Sequence, residues 1–517
     1  MMAGIEELGG TPAVPGTVYL VGSGPGAPGL VTARAAKLLA TATFVAYDRL
    51  ASAEARALCP PECEQVFVGK RPDYHALKQE GINDLIVQKA QEGHAVVRFK
   101  GGDPFVFGRG SEEALACLEA GVPFEVVPGI SSSVAAPAFA GIPVTHRGLA
   151  HGFAVITGHE DPDGQDDPVN WPNLATFPGT LCVLMGVAHL EQIANGLMRG
   201  GKSADTPVAL VRWGTLSRQA VLRSTLGEVA HEVARTGFRP PAVTVIGPVA
   251  ALADQLTWFT DRPLHGRRVL VPRTRQDSSV VSMKLRALGA DVVIAPTIQI
   301  LPALNPEPMR RALHSLSTYG AIALTSRNAV RALFNGLADE GFDGRALAGL
   351  RLVVVGPGTA EELATHSIMA DLIAPRATAE ALARAISNDP DFPRDKPVLA
   401  PLADIAGPTL AEGLRENGFE VHDVEAYRTV PAYELPPGVA EDLAKGRIDA
   451  VACSSSSTIR NLVALSPDGI AASVKLVAIG PSTAATIEDL GYQPAAIAHR
   501  HDVDGLVAAL IETLTSA

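Results

Sequence analysis

The chain is poor in cysteine and in positive charge, and it lacks any long apolar run. Its five cysteines, Cys59, Cys63, Cys117, Cys182 and Cys453, are odd in number and show no zinc-site or disulfide-framework spacing. A reducing cytoplasm fits that usage. Lys and Arg total 43 against 55 Asp and Glu, a net charge of -12, which argues against a general nucleic-acid surface but leaves room for a local basic pocket. No stretch approaches the roughly 20 apolar residues of a membrane span, and the opening "MMAGIEELGGTPAVPG" lacks the charged and apolar regions of a signal peptide. Neither nucleic acid nor membrane is expected as a partner, and residues 1–15 read as a disordered leader.

The chain is rich in punctuation: 49 glycines and 39 prolines in 517 residues, with 47% hydrophobic content. That length exceeds what one core usually supports, so two or more domains are expected. From Gly16 onward, β-branched runs such as "TVYLVG", "TFVAYD" and "HAVVRF" alternate with alanine-rich helical patterns, which predicts parallel βαβ units and an α/β fold. The rhythm breaks over "AALADQLTWFTDRPLHGRR", placing a domain boundary near Asp261 and dividing the chain into 16–260 and 261–517.

The second half repeats itself. "VLVP" at Val269 returns as "VLAP" at Val398, "LRALGADV" at Leu285 as "LRENGFEV" at Leu414, and "ALTSRNAVRAL" at Ala323 as "ACSSSSTIRNL" at Ala452, all at one offset of 129. "LVVVGPGTA" at Leu352 and "LVAIGPSTA" at Leu476 form a fourth pair. An ordered series of this kind predicts two similar α/β lobes, with any chemistry in the cleft between them.

The first half opens on "VYLVGSGPGAPGL", whose Gly24-Pro-Gly26-Ala-Pro-Gly29 fits the spacing of a dinucleotide-binding turn. Pyrophosphate is held there by backbone N–H groups, and proline has none, so Pro25 and Pro28 count against a nicotinamide enzyme. Two more polar, glycine-rich turns follow strands, at Gly101-Gly102-Asp103 and at Ser131-Ser132. Three such turns should line one crevice at the carboxyl ends of a sheet. On the residues alone, Asp48 also reads as a helix-capping carboxylate and Lys70 as a solvated lysine.

"GPG", "VGKR" and "GGDPFVFGRG", in that order between Thr17 and Val249, resemble the uroporphyrinogen-III C-methyltransferases of the tetrapyrrole methylase family. The resemblance implies a two-lobed fold, S-adenosyl-L-methionine as cofactor, and a homodimer formed through this half. By position it implies cofactor contacts at Pro25, Gly101, Gly102, Asp103, Val106, Ser131, Ser132, Met185, Gly214 and Ala242, with Asp48 as proton acceptor and Lys70 as proton donor. A substrate bearing many carboxylates calls for arginine, so Arg98, Arg109 and Arg147 are expected contacts, with Lys100, His146, Arg212 and Arg218 nearby. The chain departs from the family pattern at Ala27 and Leu184.

Residues from about Gly266 to Leu510 resemble uroporphyrinogen-III synthase in "VLVPRTR", "LTSRNAV", "VVVGPGTAEEL", "EAYRTV" and "AIGPSTAATIEDLG". That family implies one lobe over 261–300 plus 431–517 and another over 301–430. Ser326, Ser455, Ser456 and Thr483 are the expected substrate contacts, Arg273 and Arg275 the carboxylate partners, and Tyr427 the group that helps a hydroxyl leave. On the residues alone, the Ser and Thr positions read equally as helix caps and Tyr427 as packing. Together the halves imply a bifunctional enzyme that cyclises hydroxymethylbilane to uroporphyrinogen III and methylates it twice to precorrin-2. Alternatives are a methyltransferase of a later corrin intermediate with an inactive synthase-like half, an NAD-dependent oxidoreductase, and a two-lobed binding module.

Overall fold

The computed structural model describes residues 8–69, 78–159, 169–272 and 279–516. They form two compact units: one built on residues 1–268 with 284–291, the other on 269–283 with 292–516. No described helix is long and apolar enough to cross a membrane.

In the first unit, strands β1 (Val18–Gly22), β2 (Phe44–Tyr47), β3 (Glu64–Phe67), β4 (Val96–Lys100) and β5 (Phe124–Val127) form a parallel sheet in the order β3-β2-β4-β1-β5. Strands β1 and β4 are buried along their whole length, as central parallel strands covered by helices on both faces must be. The residues of β4 nevertheless include Arg98 and Lys100, each 2% exposed.

Strands β6 (Phe153–Thr157), β7 (Thr180–Leu184), β8 (Pro207–Arg212), β9 (Ala220–Thr225) and β10 (Ala242–Ile246) make a second sheet, ordered β6-β7-β10-β8-β9. This sheet corrects the expectation of parallel units throughout. Only β6 and β7 run parallel; β10 is antiparallel to both β7 and β8, and β8 to β9. Residues 213–219 join β8 to β9 without a helix, and so short a connection permits only antiparallel neighbours.

The disordered leader is also corrected over its described part. Arg34 donates from Nη1 to the carbonyl of Gly9 at 3.1 Å, Ala13 N–H donates to the Thr41 hydroxyl at 2.9 Å, and Val14 N–H to the Tyr19 hydroxyl at 2.9 Å. Segment 8–15 is thereby fastened to the helix Ala33–Leu39 and the strand beside it.

In the second unit, β11 (Arg268–Val271), β12 (Asp291–Ile294), β13 (Ile298–Pro302), β14 (Ala321–Leu324), β15 (Arg351–Val354), β16 (Leu372–Ile373), β17 (Val398–Ala403), β18 (Val421–Pro431), β19 (Ala450–Cys453), β20 (Lys475–Ala478) and β21 (Pro494–Ile497) make two sheets, β12-β11-β19-β20-β21 and β13-β18-β17-β14-β15-β16. The sequence repeat maps β11 onto β17 and β14 onto β19. One sheet therefore joins β11 and β12 of the first copy to β19, β20 and β21 of the second, and the other joins β17 and β18 of the second copy to β14, β15 and β16 of the first, with β13 added at the edge beside β18. The repeated unit is a sequence copy, and the lobe is a crossed combination of two copies. Burial pushes the Cys182 and Cys453 thiols up to about 12, which keeps both protonated inside their cores.

The first sheet is finished by three turns that touch through glycine. Gly102 N–H donates to Gly24 O at 2.8 Å, Gly24 N–H returns a bond to Gly102 O at 3.2 Å, and Ser23 N–H donates to Lys100 O at 2.7 Å. A Cβ on Gly22 would lie 2.5 Å from Gly102 O and 2.6 Å from Gly129 Cα, both rigid backbone atoms. We expect Gly22→Ala to lower unfolding free energy by about 2 kcal/mol, the scale of overpacking in a close-packed interior. Gly29→Ala, where a Cβ meets nothing within 4 Å, should stay within about 0.5 kcal/mol of the parent. Urea denaturation of the two variants checks the contrast.

Candidate functional site

Those turns form one wall of a cavity of about 490 Å³ in the first unit. Pro25, Gly101, Gly102, Asp103, Val106, Ser131 and Ser132 border it from the first sheet, and Met185, Gly214 and Ala242 from the second. All ten residues named as cofactor contacts thus share one space. Arg49, Leu50, Phe107, Trp213 and Leu216 also line it and were not anticipated. Their signal in the sequence was adjacency: Arg49 and Leu50 follow Asp48, and Trp213 precedes Gly214.

The backbone at and beside the cavity is conformationally strained. The lining residues Phe107, Met185 and Trp213 have φ of 52°, 60° and 49°, and Arg109 and Thr215, close by in sequence, 56° and 73°, a region that costs a non-glycine residue energy and persists where the surroundings enforce it. Among the described residues only one further non-glycine, Ser367, does the same. The enforcing contacts are visible around Thr215. Its N–H donates to Gln219 Oε1 at 2.8 Å, Gln219 Nε2 donates to Phe139 O at 2.9 Å, and Ala27 N–H donates to the Thr215 hydroxyl at 3.1 Å. The turn after β8 is so locked to the first loop, while the Leu216 side chain fills the space a Cβ on Gly26 would take.

Asp103 ties turns together. Its Oδ1 accepts from Phe105 N–H at 2.8 Å and its Oδ2 from Gly129 N–H at 3.0 Å. The walls are otherwise glycine, proline and apolar side chains, with few fixed charges. A mostly apolar cavity of this size with exposed backbone suits a nucleoside-sized ligand.

The structure reassigns several basic residues. Arg98 was expected at a carboxylate-binding rim, but it is 2% exposed and paired inside the fold with Glu113 at 2.9 Å and Asp48 at 2.9 Å. Lys100 is equally hidden, 2.8 Å from Glu113. Burial pulls the Arg98 guanidinium down, yet the charges of Asp48 and Glu113 outweigh it and leave it raised. For Lys100, burial and then the neighbouring Arg98 charge win over Glu113, and its ammonium is lowered. Arg109 is exposed but held by Glu112 through two bonds of 2.8 and 2.7 Å. His146 Nδ1 accepts from Gly148 N–H at 3.1 Å, and Arg147 beside it is exposed. Arg218 stacks 3.8 Å over the Trp213 ring and is lowered chiefly by burial, and Arg212 Nε is buried without a hydrogen-bond partner among the described residues.

Asp48 does not itself border the cavity, although Arg49 and Leu50 do. Its carboxylate is about one-third open to solvent, and among the described residues only Oδ1 is engaged, by Arg98 Nη2 at 2.9 Å. Lys70, Arg273 and Arg275 lie outside the described residues.

In the second unit the expected contacts fall into two groups. Ser326 follows β14, caps the helix Arg327–Asp339 through Ala329 N–H, and shares a 2.8 Å hydrogen bond with the Tyr427 hydroxyl from β18. Tyr427 is 7% exposed and borders a cavity of about 420 Å³ with Leu301, Asn328 and Arg331. Ser455 follows β19 and caps the helix Ser456–Ala464, while the Ser456 hydroxyl donates to Ser482 O at 3.1 Å and accepts from Thr486 at 2.9 Å. Thr483, in the first turn of the helix Pro481–Asp489, is 4% exposed, so its side chain packs inside the lobe.

Comparison with known proteins accounts for both units. The family model for Tetrapyrrole (Corrin/Porphyrin) Methylases matches residues 17–230, and that for Uroporphyrinogen-III synthase HemD matches residues 279–508. A porphyrin biosynthesis protein HemD of Ruminiclostridium josui is 35% identical over 96% of this chain and 98% of its own. An S-adenosyl-L-methionine-dependent uroporphyrinogen III methyltransferase of Methanosarcina barkeri is 47% identical over 47% of this chain and 94% of its own. A crystal structure of uroporphyrin-III C-methyl transferase from Thermus thermophilus, complexed with S-adenyl homocysteine, aligns at 43% identity over 46% of this chain and 99% of that one, with a TM-score of 0.40. The chain belongs to the tetrapyrrole methylase family in its first half and to the uroporphyrinogen-III synthase family in its second.

Proposed function

We propose that the chain is a bifunctional enzyme of tetrapyrrole synthesis. The second unit cyclises hydroxymethylbilane to uroporphyrinogen III, and the first methylates that product twice, with S-adenosyl-L-methionine, to precorrin-2, on the way to sirohaem or cobalamin. The observation that carries this reading is the cavity that gathers all ten motif positions in a chain matched end to end by a porphyrin biosynthesis protein. The glycine-lined wall and the apolar side chains opposite fit the cofactor's size and its need for backbone partners. A cytoplasmic setting accords with five free cysteines. The exposed apolar side chains Phe105, Phe107, Leu115, Leu118 and Phe124 favour a second copy of the chain as partner.

When bound, S-adenosyl-L-methionine supplies an electrophilic methyl group. The chain aligns the macrocycle with it and moves protons as the pyrrole electrons rearrange. Asp48 is the proton acceptor in this reading, since its Oδ2 engages no described residue, with Lys70 as proton donor. Arg109 and Arg147, both exposed near the motif loops, are offered to substrate carboxylates. In the second unit, loss of the hydroxyl as water leaves a cation that the pyrrole nitrogen stabilises, and the Tyr427 hydroxyl, oriented by Ser326, protonates the departing oxygen. Ser455 and Ser456 meet substrate carboxylates beside helix N-termini, where anions are favoured.

Full-length protein supplied with hydroxymethylbilane and S-adenosyl-L-methionine should form a dimethylated product by mass spectrometry; unmethylated uroporphyrin I alone would overturn both assignments. Tyr427→Phe should slow ring closure about tenfold while methylation of added uroporphyrinogen III continues, and a ring-closure rate equal to the parent's would remove Tyr427 from the mechanism.

A further inference from the structure

The buried cluster beneath Asp48 is not accounted for by substrate or cofactor contact. Glu113, on the helix Gly110–Glu119, is fully buried. It receives Lys100 Nζ at 2.8 and 2.9 Å, Arg98 Nε at 2.9 Å and Gln79 Nε2 at 3.3 Å. The Arg98 fork reaches the other way with Nη2, to Asp48 Oδ1 at 2.9 Å, and its Nη1 faces the carbonyls of Ala46 and Phe99, each at 3.4 Å. The four charges alternate in sign along Asp48, Arg98, Glu113 and Lys100. Three members are sealed in the fold, and the fourth, Asp48, is about one-third open to solvent with Oδ2 unengaged among the described residues.

A cluster that served stability alone has no need of an open end. Buried ion pairs are weak stabilisers against apolar packing of the same volume, but they fix geometry well when every donor and acceptor is satisfied. A planar guanidinium held at Nε by Glu113 can present Nη2 in only one direction. We propose that Glu113 and Lys100 fix Arg98 as a positioning residue, which aims the Oδ2 of Asp48 at the methylation substrate.

This rests on Asp48 as the proton acceptor. The described charged groups around it are Arg98 and Lys100 from β4, Glu113 from the helix Gly110–Glu119, and Arg49 in its own turn.

The test is the split between kcat and KM for methyl transfer by the full chain, with S-adenosylhomocysteine binding as the check on folding. In Arg98→Gln kcat should fall about a hundredfold at unchanged KM with binding retained. Arg98→Lys keeps the charge but cannot fork between two carboxylates; it should recover part of that loss while kcat stays about tenfold down at unchanged KM. If Arg98→Gln loses binding, Arg98→Lys alone decides: a parental kcat in it overturns the proposal. A parental kcat in a binding-competent Arg98→Gln also overturns it, and if Asp48→Asn is inactive in that case the reading of Asp48 stands. An active Asp48→Asn overturns that reading and the proposal with it.

Discussion

The first unit depends on how closely three backbones can approach. Gly22, Gly102 and Gly129 meet at the carboxyl ends of β1, β4 and β5, where a methyl group on Gly22 or Gly129 would collide with main-chain atoms. Their contact lets the turns share hydrogen bonds and leaves N–H and C=O groups near one surface of the cavity. Asp103 then works as a staple between two of these turns, and Thr215 brings in the loop from the second sheet. The positive φ of Thr215 is sustained by this interlock.

Much of this was legible in the sequence, because short-range chemistry leaves short-range marks. Glycine and proline in "GPGAPG" and "GGDP" announce turns, and turns after strands of one sheet converge. The ten cavity positions follow from that logic together with family resemblance. Arg98 was misread for a physical reason: alternation along β4 looks the same whether a charged side chain points to a rim or to a buried partner, and the partner, Glu113, lies on a helix 15 residues away. Burial of an arginine is decided by tertiary pairing, which no local pattern contains.

The mixed second sheet was hidden for a similar reason. β-rich segments announce strands but not their direction; direction follows from the length of the connection, and residues 213–219 are too few to carry the chain back for a parallel neighbour. Thr483 shows the same limit at a single residue. Its position after a strand and at a helix start matched Ser326 and Ser455, and only packing separates a hydroxyl that faces out from one that faces in.

The crossed repeat in the second unit has a consequence for how the chain is made. Strand β11 pairs with β19, so Val269 meets Ala450 only after about 180 further residues have been synthesised, and pairings so distant in sequence form slowly. The other sheet, made of β13 to β18, lies wholly within that interval and can close first. The outer lobe of the unit therefore waits, with one edge strand bare, for a chain that must fold its middle before its ends.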